Sequence, residues 1–539
     1  MPIFLRHSQN LPLPQEYERW LCIGNPDCDL PANKKCKNIP VLLEAAFAER
    51  VEDWIAIARQ AGAERTANLA HMPTCAANIC DFGLMLTWDR IISEMALESV
   101  KTLIICDDPW LFRHLKTIHG VVSGPSPSLW IKHLVLSLRG LLARTKVALR
   151  VMGAHILLRR HRSRSQPHAP YLLVYGHPRS NAQGEDGYFG PLLGHLPNLK
   201  RILHVDAPVS RVRSLASDNR TESLHTWGSL RYSLSLPFRR WRPSQKLRRG
   251  PLGWLVRRAA CLEGGTGSAA MIAWQLNCQK RWLREARPQT VAWPWENHGW
   301  ERSFVREARN QSVATIGYQH SVIGILPNYS PFSNPDDVAG LPDQVACNGA
   351  SSLEQLIVRG VPQERLHNVG ALRQVGHRKA VYDPKEPIFV AVPFEANIAR
   401  QMVMACDHSF SNSLSFLIKD HPMSPIEFEE RPNIRRATTT LLEIGGVSAV
   451  LFTATTVGLE AWLSGIPTIR FLPEGTIAYN ILPDDVRIQT ATAETLEEAL
   501  NTLSKSDPAP FEHFFGPVDF NFWEKQLVGS PHQEGRAQC

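Results

Sequence analysis

Two groups of residues in this sequence have the types and spacing that phosphate and hydroxyl chemistry require. Lys419-Asp420-His421-Pro422 follows the apolar run 415–418. A proline after His421 favours extended backbone, which presents the imidazole beyond a strand end where an anion in a cleft would meet it, and Lys419 adds charge. One strand–helix unit later, Phe452-Thr453-Ala454-Thr455-Thr456-Val457-Gly458-Leu459-Glu460 runs from a strand through a hydroxyl-rich turn into a helix that Gly465-Ile466-Pro467 ends. Free amides and the positive dipole end of such a helix suit a phosphate, with Thr455 and Thr456 adding hydroxyls. Either threonine alone reads as an ordinary N-cap. Beside the His421 loop the pair reads as a nucleotide phosphate pocket, with Glu460 one turn further on and placed for a ribose hydroxyl.

The second group follows the run 290–293. In Trp295-Glu296-Asn297-His298-Gly299-Trp300-Glu301-Arg302 a carboxylate is flanked by tryptophans at a strand end. Such surroundings raise a carboxyl pKa toward that of a general base, which makes Glu296 the first candidate; the plainer reading pairs it with His298 or Arg302. The next run ends in Gln319-His320, which would lie beside Glu296 if the two strands are neighbours, so His320 is the alternative base. Glu301 and Gln319 are further cleft candidates. Gly264-Gly265-Thr266-Gly267-Ser268 opens a predicted helix over 269–284, and Gly265 is a weaker candidate for cradling an anion.

Strands must place these loops. Apolar runs at 102–106, 171–175, 201–205, 290–293, 313–316 and 344–347 alternate with helix-length stretches, the pattern of buried parallel strands with crossover helices. After a polar, proline-bracketed break at 382–387 the alternation restarts at 388–392, 415–418, 449–452, 467–471 and 486–489. The expected fold is therefore α/β, with two Rossmann-like lobes facing a central cleft. Residues 1–383 form the first lobe, residues 384–505 the second, which carries the nucleotide phosphate pocket, and residues 506–539 a tail that packs back through its aromatic residues.

The 539 residues are 44% hydrophobic and 20% charged, an ordinary globular mixture with neither a signal-peptide apolar segment nor a spanning run. Eleven cysteines, with Cys22, Cys28 and Cys36 in no paired zinc spacing, suit free thiols in a reducing compartment. A cytoplasmic location follows. Charge is uneven: residues 109–184 contain no Asp or Glu, whereas Lys385 to Lys505 has nine Lys/Arg against fifteen Asp/Glu, so the net +8 belongs to the first two-thirds. Within a basic insertion at about 109–165, residues 134–159 repeat aliphatic side chains at helical spacing with cations between them. That pattern reads either as an amphipathic helix on an anionic membrane surface (residues 134–164) or as a helix packed on its own domain. Nucleic acid is disfavoured, because no reader motif accompanies the cations.

At His421-Pro422, and at Thr455-Thr456-Val457-Gly458-Leu459-Glu460-Ala461 followed by Gly465-Ile466-Pro467, the chain resembles bacterial surface-carbohydrate glycosyltransferases of GT-B architecture. The branch it is most similar to holds capsule Kdo transferases and bacterial sialyl- and polysialyltransferases, and more distantly teichoic-acid glycerophosphotransferases. The similarity covers roughly residues 293–490; the branch has Ser-Ser where this chain has Thr455-Thr456. The resemblance implies a CMP-linked donor sugar as substrate, held by Lys419, His421, Pro422, Thr455, Thr456, Gly458 and Glu460. It also implies inverting transfer without a metal or other cofactor, and a glycan or lipid-linked acceptor at the inner membrane face. A sugar-nucleotide epimerase of the same architecture and a non-catalytic nucleotide-binding scaffold are the rival readings.

Overall fold

The computed structural model describes the chain apart from residues 1–2, 12–16, 25–28, 161–165, 332–337, 375–379, 409–413, 423, 485, 506 and 529–539. Cys28 of the cysteine trio, Arg162 and Arg164 of the basic stretch and the last part of the tail thus lie outside the described residues.

Three parallel sheets organise the molecule. The first comprises β1 (Ile3–Arg6), β2 (Arg19–Ile23), β3 (Thr102–Cys106) and β4 (Val121–Ser123), in the order β2-β3-β1-β4. The second comprises β5 (Tyr171–Val174), β6 (Lys200–Leu203), β7 (Thr221–Ser223), β8 (Thr290–Pro294), β9 (Ala314–Gln319), β10 (Gln344–Cys347) and β11 (Leu366–Asn368), in the order β11-β10-β9-β8-β5-β6-β7. The third comprises β12 (Ile388–Ala391), β13 (Phe416–Lys419), β14 (Ile434–Arg436), β15 (Ala449–Phe452), β16 (Thr468–Phe471) and β17 (Gln489–Ala491), in the order β14-β13-β12-β15-β16-β17. Residues 1–383, read from the sequence as one lobe, therefore carry two sheets.

Buried composition explains these strands. β3, β5, β8, β12, β15 and β16 are buried at every residue, as strands covered by helices on both faces must be. In the second and third sheets the chain builds outward from β5 or β12 to one side, then returns to continue on the other. Each sheet thus reverses direction at one point, between β5 and β8 and between β12 and β15, where the strand ends open a crevice.

Several elements bind the units together. Gly324, at φ +52°, lies so close to Asn480 and Ile481 of the C-terminal lobe that a side chain there would meet their backbone, and Ile325 N donates to Asn480 O at 2.8 Å. The carboxylate of Glu44, on the helix Ile39–Gly62, grips both terminal nitrogens of Arg470 on β16, at 2.6 and 2.5 Å. After the third sheet the chain returns to the second: Phe514 and Phe515 are buried against the C-terminal lobe, whereas Trp523 and Leu527 of the helix Phe520–Val528 are buried beside Tyr318 and Phe189.

Within the basic stretch 109–165, residues 109–115 form the short helix Pro109–Leu115, residues 121–123 are β4 of the first sheet, and residues 129–158 form one long helix, Leu129–Leu158. Arg144 is not part of a cationic surface. It is buried, donating from Nε to Pro237 O at 2.8 Å and from Nη1 to Gly264 O.

Candidate active site

A cavity of ≈ 760 Å³ lies where the strand ends of the second and third sheets face each other, with Asn78 and Asp81 of the N-terminal unit at its rim. It brings Glu296 and His320 together with Lys419, His421, Pro422, Thr455, Thr456 and Glu460. Gln319, Glu301, Gly458 and Gly265 do not line it.

On the C-terminal wall, β13 ends at Lys419 and β15 at Phe452, flanking β12 at the reversal point. Asp420 fixes the His421 turn: it accepts from Ile426 N at 3.2 Å and pairs with Arg436. The His421 ring meets Phe394 edge-on with centroids 5.5 Å apart, and burial lowers its pKa, which favours the neutral imidazole. Lys419 Nζ donates to Thr438 O at 3.2 Å. Thr456 caps the helix Val457–Leu463 without a side-chain bond, and Thr455 Oγ1, buried, has no hydrogen-bond partner among the described residues. Neither hydroxyl is spent as an N-cap. Gly458 has a packing role instead: a side chain there would run into the ring of Phe452.

The opposite wall is built by the loop after β8. Glu296, with 37% of its side chain exposed toward the cavity, accepts from His298 Nε2 at 2.8 Å, and His320 Nε2 stands 3.8 Å from its other oxygen. Enclosure pushes the Glu296 carboxyl up, but the His298 hydrogen bond and the His298 charge outweigh it and hold the group below its ordinary value. The expected upward shift does not occur at Glu296; pairing with His298 reverses it. On His298 burial is likewise outweighed, by the Glu296 hydrogen bond and the Glu296 and Glu301 charges, and its pKa rises. The result is an ion pair aimed at the cavity.

The upward shift falls on Glu301. Fully buried, it is pushed up to about 7 by desolvation, and its oxygens accept from Trp293 Nε1 at 2.9 Å and from the amides of Glu296, Asn297 and His298. Glu301 is a positioning residue that ties the loop to its own helix, Gly299–Asn310. Asn297, at φ +57°, completes the tie by donating to Asn328 O and Ser330 O at 2.8 and 2.9 Å.

β8 and β9 are neighbours, which sets His320 beside Glu296. The His320 side chain is 7% exposed, and its ring nitrogens make no hydrogen bond among the described residues. Burial, with Arg373 adding, lowers its pKa to about 3, so it is neutral. Gln319 is fully buried behind it. Gly265 sits at the end of the helix Gly253–Gly264, its amide bonded to Cys261 O and Leu262 O and its Cα against Leu136. That glycine turn is a helix-packing joint, and its predicted anion cradle is replaced by contact with the basic helix.

Among the cavity residues not singled out as site candidates from the sequence are His177, Arg179, Tyr188 and Arg373. Gly176-His177-Pro178 directly follows β5, the same strand-end His-Pro signal that marks His421, and was legible. Arg373 stacks over the Tyr188 ring at 5.8 Å and has no motif to announce it.

No protein-family model matches this sequence, and no curated protein does. Similar solved structures include the UDP-GlcNAc 2-epimerase of Neisseria meningitidis bound to UDP-GlcNAc, 12% identical with a TM-score of 0.31 over 56% of this chain and 81% of that one. The calicheamicin glycosyltransferase CalG4 is 12% identical with a TM-score of 0.35 over 62% and 89%. The lipopolysaccharide outer core galactosyltransferase WaaB is 10% identical with a TM-score of 0.30 over 61% and 88%. The chain's own sheet orders and shared cleft define the class: two Rossmann-like lobes in the GT-B arrangement, joined by an additional N-terminal sheet.

Proposed function

We propose that the protein is an inverting glycosyltransferase that moves a sugar, Kdo or another nonulosonate, from a CMP-linked donor to a cell-surface glycan or glycolipid acceptor. The observation that carries this is the shared cavity in which the Glu296–His298 pair and His320 face Lys419, His421, Thr455 and Thr456. The nucleotide occupies the C-terminal wall, where an arriving phosphate favours protonation of His421 and accepts from the two threonine hydroxyls. Glu296, held as a carboxylate by His298, takes the proton of an acceptor hydroxyl. That oxygen bonds to the anomeric carbon as the carbon–phosphate oxygen bond breaks, and CMP leaves with the electron pair. The cations of Arg179 and Arg373 on the cavity wall suit the carboxylate of a nonulosonate. No step needs a metal ion, since His421, Lys419 and the hydroxyls face the leaving phosphate.

One observation favours a second reading. A neutral imidazole, His320, stands 3.8 Å from a carboxylate, an arrangement also suited to exchanging a proton at a sugar carbon, as an epimerase must. Incubation with donor sugars in deuterated water separates the two. Transfer predicts CMP release that depends on acceptor, no deuterium in recovered donor, and loss of turnover in Glu296→Gln with donor binding retained. Deuterium incorporation without acceptor overturns it.

A further inference from the structure

The helix Leu129–Leu158 is seated by one face and bare on the other. Leu136, Gly140, Ala148, Val151 and Leu158 turn inward, against the helices Gly253–Gly264 and Ser268–Ala286. On the opposite side Ile131, Leu134, Leu138, Leu142, Leu149 and Ile156 are exposed, Leu142 to 71%. The patch continues beyond the helix. Leu230, Leu234 and Phe238, the last 69% exposed, belong to the segment with the short helices Leu230–Ser233 and Leu236–Phe238, which pack against it. So many exposed apolar side chains on elements packed against one another are costly in water and mark a docking face.

Its charge identifies the occupant. Lys132, Arg139 and Lys146 are exposed along one flank of the bare face, and residues 109–184 contain no carboxylate. Where the helix ends, Arg159, Arg160 and Arg231, with Arg281 beside Glu285 at 3.6 Å, line a depression of ≈ 500 Å³ that Leu230 also lines. Aliphatic side chains pointing outward beside a row of cations match acyl chains beneath anionic headgroups. No described helix is long and apolar enough to cross a membrane.

We propose that this face lies on an anionic lipid bilayer, with the helix in the plane of the interface and lipid phosphates at the arginine-lined depression. The proposal stands apart from the reaction assigned to the cavity, because none of its residues lines that site.

The test is co-sedimentation of the full chain with vesicles of phosphatidylcholine alone and of equal parts phosphatidylcholine and phosphatidylglycerol. The protein is expected to pellet with the anionic vesicles only, and less as salt rises. Changing Lys132, Arg139 and Lys146 together to Gln should weaken that binding by about a hundredfold at low salt. Leu138→Glu with Leu142→Glu should abolish it while the melting temperature and circular dichroism stay unchanged, as substitutions of exposed side chains allow. Failure of the native protein to pellet with anionic vesicles overturns the proposal, as does unaltered pelleting of the leucine double variant. A concentration-dependent dimer that the leucine changes disrupt, without vesicle binding, would overturn it too and give the face to a second copy of the chain.

Discussion

Glu296 and His298, two residues apart on the loop after β8, face each other through a 2.8 Å Nε2–Oε2 hydrogen bond at the cavity wall. The imidazole holds the carboxylate ionised and fixes its direction, so the two side chains act as one unit. Removing the carboxylate in Glu296→Gln should lower kcat by about 10²–10⁴-fold, the usual contribution of a positioned base, with little change in nucleotide affinity. His298→Gln should lower kcat less and raise the acid limb of the pH–rate profile, because the Glu296 carboxyl then loses the partner that lowers its pKa. Steady-state rates across pH check both; equal rates in native and Glu296→Gln proteins would remove Glu296 from the mechanism.

Gly458 separates packing from binding. Gly458→Ala forces a methyl against the Phe452 ring at the start of the Val457–Leu463 helix. Overpacking of this kind costs about 1–3 kcal/mol. Chemical denaturation should show the loss even without nucleotide, and a Gly458→Ala variant as stable as the native protein would contradict the packing role.

The Glu44–Arg470 pair clamps the N-terminal helix to the C-terminal lobe across a sequence separation of 426 residues. Glu44→Gln leaves the buried Arg470 without its carboxylate and holding to Ala478 O, which should cost about 1–3 kcal/mol. Urea unfolding of Glu44→Gln, compared with the Glu44→Leu, Arg470→Met double variant, tests this. The double variant should recover part of the loss.

Acid should destabilise the fold before it protonates ordinary surface carboxylates. Burial holds His71, His177, His204 and His225 down to about 4, and burial with Arg373 holds His320 down to about 3. The unfolded chain protonates these groups near 6.5, so between about 6.5 and about 4 it binds more protons and stability falls as pH drops. Glu263 and Glu301, pushed up by burial to about 7, work the other way, since their contribution is present below about 4.5 and lost as pH rises through 7. The imidazoles outnumber the carboxyls. Unfolding free energies should therefore rise from pH 4.5 to 6.5, and a flat or falling profile would contradict this balance.

The strand-end logic made much of the cavity legible. Runs such as 344–347 and 449–452 coincide with β10 and β15 because strands buried on both faces leave a wholly apolar signature. Once those strands were placed, the loops carrying His421, Thr455, Glu296 and His320 fell at strand ends, and the sheet orders bring those ends beside the reversals. Other elements left no such signature. β7 is Thr-Glu-Ser, buried because Glu222 accepts from Tyr171 Oη at 2.9 Å, and β4 is three half-covered residues, so neither reads as a strand. The separate first sheet stayed hidden because its edges are short and only β3 shows a strong run. Glu301 looked like a cleft residue because its role depends on loop amides that fold back onto it, a tertiary fact beyond local spacing.

The central claim, a CMP-selective donor site on the C-terminal wall, is tested most directly by thermal stabilisation of the purified protein with CMP, CDP, UMP, UDP and GDP, repeated on His421→Ala and Thr455→Val. A ligand at about 100 times its Kd adds ~2.7 kcal/mol to the folded state, an easily measured shift. The account predicts stabilisation by CMP, less or none by the uridine and guanosine nucleotides, and loss of the effect in both variants. Stabilisation by UDP or GDP in preference to CMP, or by no nucleotide, would contradict it.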